Sequence, residues 1–334
     1  MLTEPLLSSQ RIGGIEALKR DLPIENSNIK PTRSARGPKE ILALFTKGFC
    51  MGASDVVPGV SGGTMALILG IYEELIQSIK AFDWDCLRLV LRGRFSQLLD
   101  KVPLGFLLPL GMGILTAIFT LARGLSWLLN EYPVAVWSFF FGLVLASAFV
   151  VGRRIEKWHW STLLGIVLSA IAAYVLVGLV PINTPETLSF IYLCGAVAIC
   201  AMILPGISGS FILVLLGKYQ YVLDAVGRLD MVVLGVFTAG TATGILLFVR
   251  LLSWLLNKYH QMTMAGLTGL MIGSLRKIWP WKSMTELVTN DAGSGVTLAR
   301  NILPHQMTAE VYVAIGLALL GGLAVVLLQR LAEK

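Results

Sequence analysis

Long apolar runs alternate with short polar segments along this chain, and the runs set the predicted elements. Residues 104–122, 133–151, 161–180, 231–249 and 311–329 each form a mainly apolar stretch of the length that crosses a ~30 Å hydrocarbon core as a helix. The first of these is predicted to run on toward Leu129 and so to enclose Arg123. A weaker run, rich in Gly and Thr, covers 262–275. Two stretches do not fit a simple span. Residues 41–53 have a helical apolar pattern, but 13 residues rise only ~20 Å. The chain then breaks at Asp55-Val-Val-Pro-Gly-Val-Ser-Gly-Gly-Thr64 and resumes as a predicted helix over 63–80. Residues 189–203 and 208–226 repeat this arrangement around Leu204-Pro-Gly-Ile-Ser-Gly-Ser210. Each is predicted to be a hairpin of broken helices, either re-entrant or spanning with an unwound centre. Unwound backbone at that depth is tolerated only inside protein or against a water-filled cavity, so the breaks line a cavity.

The two breaks are copies. Pro58 aligns with Pro205, Ser61 with Ser208 and Gly62 with Gly209, 147 positions apart. Gly70-x-Tyr72 answers Gly217-x-Tyr219, and Arg123-Gly-Leu-Ser-Trp-Leu-Leu-Asn130 answers Arg250-Leu-Leu-Ser-Trp-Leu-Leu-Asn257. An odd number of crossings separates the hairpins whether each counts as none or as two, so the units are predicted to have inverted topology. The fold class is therefore an all-α polytopic membrane protein of two inverted-topology repeats, each a broken or re-entrant hairpin followed by transmembrane helices. The predicted organisation is an N-terminal extension (1–40), a first membrane repeat (41–152), and a connecting loop with a linking helix (153–188). A second repeat (189–280), a polar loop (281–308) with no assigned secondary structure and a C-terminal transmembrane helix (309–334) follow.

Composition supports the membrane reading: 55% of the 334 residues are hydrophobic and only 14% charged, against roughly a quarter charged in soluble domains. The net charge of +7 does not point to nucleic acid, because Lys and Arg fall between apolar runs where anionic headgroups lie. Arg33, Arg36, Lys39 and Lys47, the connector at 81–103 and the loop at 152–160 fall on one side, which the positive-inside rule makes cytoplasmic. The N-terminus is then cytoplasmic. The loop at 276–308 falls outside despite Arg276, Lys277, Lys282 and Arg300. No apolar leader is evident in the first 40 residues, which read as a mobile tail. Cys50, Cys86, Cys194 and Cys200 have no metal-ligand spacing, and His159, His260 and His305 lie in connecting segments. No Walker loop, Ser/His/Asp set or metal cluster is present, so neither an enzyme nor a bound cofactor is expected.

The candidate chemistry is anion binding. Pro58 and Pro205 stop a helix, and Gly59, Gly62, Gly63, Gly206 and Gly209 permit tight turns and close approach. Ser61, Thr64, Ser208 and Ser210 add hydroxyls just before a new helix, whose first N–H groups and dipole favour an anion. The competing reading is that small residues at these kinks simply let helices pack closely. Arg123 and Arg250 occupy equivalent positions near the bilayer edge, where a guanidinium fork suits phosphate oxygens and where an interfacial arginine can also merely snorkel. Asp55 is either a coupling carboxylate or a helix cap, and Glu74 is a second, weaker coupling candidate. Glu73, at the same helix start, reads rather as a headgroup-level carboxylate.

The run Gly52-Ala-Ser-Asp-Val-Val-Pro-Gly-Val-Ser-Gly-Gly-Thr-Met-Ala-Leu-Ile-Leu-Gly-Ile-Tyr-Glu-Glu-Leu-Ile76, with the second motif at 204–210, closely resembles the bacterial polyprenyl-phosphate transporter family over about residues 40–330. The resemblance implies a flippase of the bacterial cytoplasmic membrane. Such a protein returns undecaprenyl phosphate from the outer to the inner leaflet for carrier-lipid recycling in peptidoglycan and other envelope synthesis. Its partners are then the polyprenyl phosphate lipid and the phospholipid bilayer, with H+ or Na+ as candidate coupling ions and a homodimer among the open oligomeric states. Two other readings stay open on the residues alone: a secondary transporter of a small soluble anion, and a non-transporting membrane scaffold for envelope synthesis.

Overall fold

The computed structural model describes residues 36–57, 60–156, 158–182, 184–289, 295–304 and 306–332. The N-terminal extension up to Ala35, Pro58, Gly59 and His305 lie outside the described residues. The first unit runs α1 (Pro38–Asp55), α2 (Gly62–Ile68), α3 (Tyr72–Lys80), α4 (Trp84–Leu91), α5 (Phe95–Lys101), α6 (Leu104–Glu131), α7 (Pro133–Gly152) and α8 (Trp160–Leu176). The second runs α9 (Leu188–Ile203), α10 (Gly209–Leu215), α11 (Tyr219–Arg228), α12 (Met231–Lys258) and α13 (His260–Ser274). An antiparallel hairpin, β1 (Lys282–Thr289) with β2 (Gly295–Asn301), and α14 (Ala309–Ala332) complete it. Helices α6, α7, α12 and α14 are long and apolar enough to cross a membrane, while α8 and α9 are apolar but shorter. The chain is an all-α polytopic membrane protein carrying one small hairpin.

Two details depart from the sequence expectation. The helices expected over 63–80 and 208–226 are each divided, at Gly70 and Gly217, whose φ values of +69° and +64° are left-handed and end the helix. The second pair, α10 and α11, bends by 106° there. The loop at 281–308 carries the β1–β2 hairpin, in which Trp279 Nε1 donates to Ile302 O at 2.8 Å and Asn301 Nδ2 to Arg276 O at 2.8 Å. These two bonds fasten the hairpin to the end of α13. The connector of α4 and α5 exists only in the first unit and is clamped by Lys101 Nζ on Asp83 Oδ1 at 2.6 Å. Burial alone would raise the Asp83 carboxyl. The Lys101 ammonium and the Cys86 and Asp85 N–H groups hold it below its ordinary value instead.

Helices meet at duplicated glycines. In lipid there is little hydrophobic drive between helices, so close backbone approach supplies the packing. Gly48 of α1 and Gly113 of α6 sit where those two helices cross, and Gly195 of α9 and Gly240 of α12 do the same in the second unit. Gly142 of α7 lies against Ala318 O of α14, and its equivalent, Gly269 of α13, lies against Ile166 O of α8. The last helix of each unit therefore packs on the other unit's penultimate one. Trp127 with Tyr132 and Trp254 with Tyr259, at equivalent positions, form edge-on ring pairs with centroids 6.0 and 5.6 Å apart at the ends of α6 and α12. Such aromatic pairs suit a membrane interface.

At Gly113 an added Cβ would lie 2.7 Å from Phe49 N and 3.0 Å from Gly48 C, whereas at Gly111 nothing lies within 4 Å. Gly113→Leu should therefore lower the thermal midpoint of the detergent-solubilised protein, at a cost of about 1–3 kcal/mol or more. Gly111→Leu should leave it unchanged or slightly raised. Equal midpoints for the two variants would refute the crossing.

Candidate functional site

The first break is closed by its own residues. α1 ends at Asp55, and a turn from Val57 to Val60 (Val60 N to Val57 O, 3.1 Å) leads to Ser61, which is extended at φ −123°, ψ 132°. Asp55 Oδ1 accepts from Gly62 N at 2.6 Å, and Ser61 Oγ accepts from Gly63 N at 3.1 Å. The Ser61 carbonyl takes Thr64 N at 2.9 Å. A carboxylate from one helix thus caps the positive end of the next, the position in which an anion is best stabilised. Asp55 takes the capping geometry, one of the two roles read for it. All seven residues of α2 are buried. At its other end Lys47 Nζ donates to Leu69 O at 3.1 Å, a cation on the negative end of the helix.

The second break is more open. Gly206 has φ +86°, and a Cβ there would fall 2.6 Å from Ser274 Oγ, so backbone conformation and space both require glycine. Ser208 stands at the cap position of α10 but its side chain makes no cap bond; Ser208 Oγ and Ser210 Oγ instead share a hydrogen bond at 2.6 Å. Pro205, Gly206 and Gly209 are buried, Ser208 is half-buried and Ser210 is exposed. The far end of α10 is tied down by Thr184 Oγ1 on Leu216 O at 2.5 Å. The buried Lys218 holds the same loop by donating to Thr184 O at 2.7 Å.

The two breaks meet. Ser61 Oγ donates to Leu204 O at 3.2 Å or Met202 O at 3.3 Å, Gly206 N donates to Thr64 Oγ1 at 3.1 Å, and Tyr72 OH donates to Ile203 O at 3.3 Å. An added Cβ at Gly63 would fall 2.5 Å from Ile203 O, so the backbones are in direct contact. Each bond joins residues more than 130 positions apart in the chain. Unwound carbonyls of one unit are satisfied by hydroxyls of the other, as unpaired backbone inside a membrane protein requires.

Other sequence candidates lie elsewhere. Arg123 is exposed on α6 with no hydrogen bond or ion pair among the described residues. Arg250 donates to Leu246 O of its own helix at 2.8 Å and to Phe82 O of the connector at 3.5 Å. Neither touches a break. Glu74 is paired with Arg36 at the surface, and Glu73 is exposed on the same turn, facing His260 at 4.0 Å. Reasoning from the sequence missed Tyr72, Lys218, Ser274 and Lys47. The repeated Gly-x-Tyr marked Tyr72 as special, but nothing in the sequence named its partner across the interface. On the α1 side a groove of about 370 Å³ has Lys39 and Lys47 beside Leu42, Cys50 and Leu328, an apolar trough with two cations. Among the described residues no group of three or more His, Cys, Asp or Glu side chains could hold a metal.

This architecture defines a multi-pass helical membrane protein in which two broken-helix hairpins face one another. The chain belongs to the undecaprenyl phosphate translocase-like family, whose profile matches residues 51–296. It is 45% identical over 266 residues to a polyprenyl-phosphate transporter of Vibrio cholerae, covering 79% of this chain and 86% of that protein. It is 31% identical over 255 residues to a polyprenyl-phosphate transporter of Staphylococcus aureus, covering 70% and 84%. No solved structure matches the chain.

Asp55→Ala should strand the buried Gly62 N–H and cost about 1–2 kcal/mol, read as a lower thermal midpoint. Asp55→Asn retains an acceptor and should recover most of that loss. If the alanine variant melts like the wild type, the cap contributes nothing.

Proposed function

We propose that this protein translocates a polyprenyl phosphate, undecaprenyl phosphate in the first instance, from the outer to the inner leaflet of the bacterial cytoplasmic membrane. The observation that carries the reading is the meeting of the two breaks, Ser61 and Thr64 against Leu204 and Gly206. It supports a polar, N–H- and hydroxyl-rich passage for a headgroup at the centre of an apolar bundle, while the prenyl chain stays in lipid. Family membership and the names of both relatives support the substrate class. The duplicated units are proposed to be inverted across the membrane, with the N-terminus cytoplasmic, so that each break serves one face.

In this mechanism the headgroup engages residues 61–64 and 205–210, with Pro58 and Gly59 completing the first motif, and Asp55 is the coupling carboxylate. Asp55 already occupies the Gly62 N–H, and a phosphate and a carboxylate cannot share it without repulsion. Binding of the phosphate displaces Asp55, which then takes up H+ or Na+ and carries the coupling. Glu74, held by Arg36, is the weaker candidate for that role. Arg123 and Arg250 act at the leaflet boundaries, near the helix ends that carry the Trp–Tyr pairs, where a guanidinium can meet the headgroup on arrival and departure.

Purified protein in liposomes should move labelled undecaprenyl phosphate between leaflets. Arg123→Ala with Arg250→Ala should slow transfer about tenfold or more, the effect of losing one or two charge-assisted contacts. Asp55→Asn should retain transfer down a lipid gradient but lose its response to an imposed H+ or Na+ gradient. Folded wild type that moves no lipid under any gradient would sink the proposal and leave small soluble anions as the next substrates to try. For the topology, a cysteine at Arg300 should react with an impermeant maleimide from outside intact cells, and reaction from the cytoplasm alone would break the inverted arrangement.

A further inference from the structure

The loop after α13 carries cations that the repeat does not require, and two of them are half-buried with no ion pair among the described residues. At the equivalent positions of the first unit, Lys277 and Lys282 are replaced by Val150 and Ile155. Arg276 is accounted for structurally: it donates to Tyr174 O at 2.9 Å and stacks 4.4 Å from that ring. Lys277 and Lys282 are different. Neither is in an ion pair among the described residues. Lys277 Nζ lies 4.7 Å from the centroid of the Phe211 ring, and Lys282 Nζ lies 4.8 Å from that of Trp137. Lys282 Nζ spends one donor on Lys277 O at 2.5 Å, which brings the two residues together.

Their place is the mouth of the second break. Lys277 N donates to Ser274 O at 2.8 Å, one turn from the Ser274 side chain that crowds Gly206. Phe211, under the Lys277 ammonium, directly follows Ser210, the exposed hydroxyl of the same break. The β1–β2 hairpin, fastened by Trp279 and Asn301, begins at Lys282 and so holds that ammonium in place. Burial disfavours both charges and lowers both lysines. For Lys282 the positive charge of Lys277 adds to burial and brings it down to about 8. A fold that needed only apolar packing here would carry the Val and Ile of the first unit.

We propose that Lys277 and Lys282 form the capture site for the phosphomonoester headgroup of the polyprenyl lipid, at the mouth of the second break and on the membrane face bearing the β1–β2 hairpin. The proposal rests on the translocase reading and adds to it the residues of first contact. A phosphomonoester carries about −1.5 to −2 charges near neutral pH, which matches two adjacent ammonium groups, whereas a phosphodiester carries one. Phe211 and Trp137 supply apolar walls on which the cations rest and against which the first isoprene units can pack. At the first break Asp55 occupies the Gly62 N–H and Lys47 is spent on Leu69 O at the far end of α2, so capture is one-sided.

The test is binding of undecaprenyl phosphate to the purified full chain in nanodiscs, followed by tryptophan fluorescence, for which Trp137, Trp279 and Trp281 lie at the site. Lys277→Met with Lys282→Met should weaken binding about tenfold or more while the thermal midpoint is held. Undecaprenol and inorganic phosphate serve as the other ligands. A site for the lipid headgroup binds undecaprenyl phosphate well above either, whereas equal binding of inorganic phosphate would make it a free-phosphate site and overturn the proposal. Should the double variant fail to fold, wild-type protein still decides. Bound undecaprenyl phosphate should protect Lys277 and Lys282 from amine acetylation read by mass spectrometry, and unchanged labelling overturns the proposal. If the wild type binds the lipid and a folded double variant binds it equally, the capture site falls and the translocase reading stands. If the wild type binds no undecaprenyl phosphate, both fall.

Discussion

Unwound backbone in the middle of a membrane protein must find hydrogen-bond partners where bulk water is absent, and everything distinctive here follows from how that demand is met. The chain breaks a helix twice at matched positions and sets the breaks against each other. Ser61 and Tyr72 of the first unit serve carbonyls of the second, and the Gly206 N–H is served by Thr64. Neither break is satisfied alone, so neither unit is self-sufficient. Any movement that parts the breaks leaves the carbonyls to water and frees the Ser61 and Tyr72 hydroxyls and the Gly206 N–H for a ligand rich in acceptors. A phosphate headgroup is such a ligand, and this ties the fold to the proposed activity.

The helices around the breaks are held by geometry more than by hydrophobicity. Four pairs of equivalent glycines, Gly48 and Gly195, Gly62 and Gly209, Gly113 and Gly240, Gly142 and Gly269, stand where a Cβ would strike a neighbour. Duplication has preserved the contact points while the surrounding apolar residues differ. Exchange of α8 and α14 between the units locks the two halves together.

The two breaks depart from the symmetry in burial and in charge. The first break is buried and plugged by Asp55, where the second unit has Met202. The second break exposes Ser210 and is flanked by Lys277 and Lys282, where the first unit has Val150 and Ile155. The second break thus has cations beside it, while the first has a carboxylate on its Gly62 N–H. A perfectly duplicated protein would have no such difference.

Much of this was legible in the chain itself. Apolar run length and the paired Pro-Gly-x-Ser-Gly motifs determined a polytopic helical protein with two broken hairpins, because the hydrocarbon thickness and the missing proline N–H act locally. The left-handed glycines 70 and 217 were visible as a repeat, but their effect of dividing each second helix depends on φ, which spacing does not reveal. Tertiary structure alone decided the partners. Asp55 became a cap rather than an open carboxylate because Gly62 N lies 2.6 Å away, and Arg250 was drawn to the connector at Phe82 rather than to a break. The basic loop after α13, which read only as a discordant topology signal, turned two lysines inward because Trp279 and Asn301 fasten the hairpin to the end of α13. Such pairings join residues far apart in the chain, and a sequence records the residue types but not which of them the fold brings together.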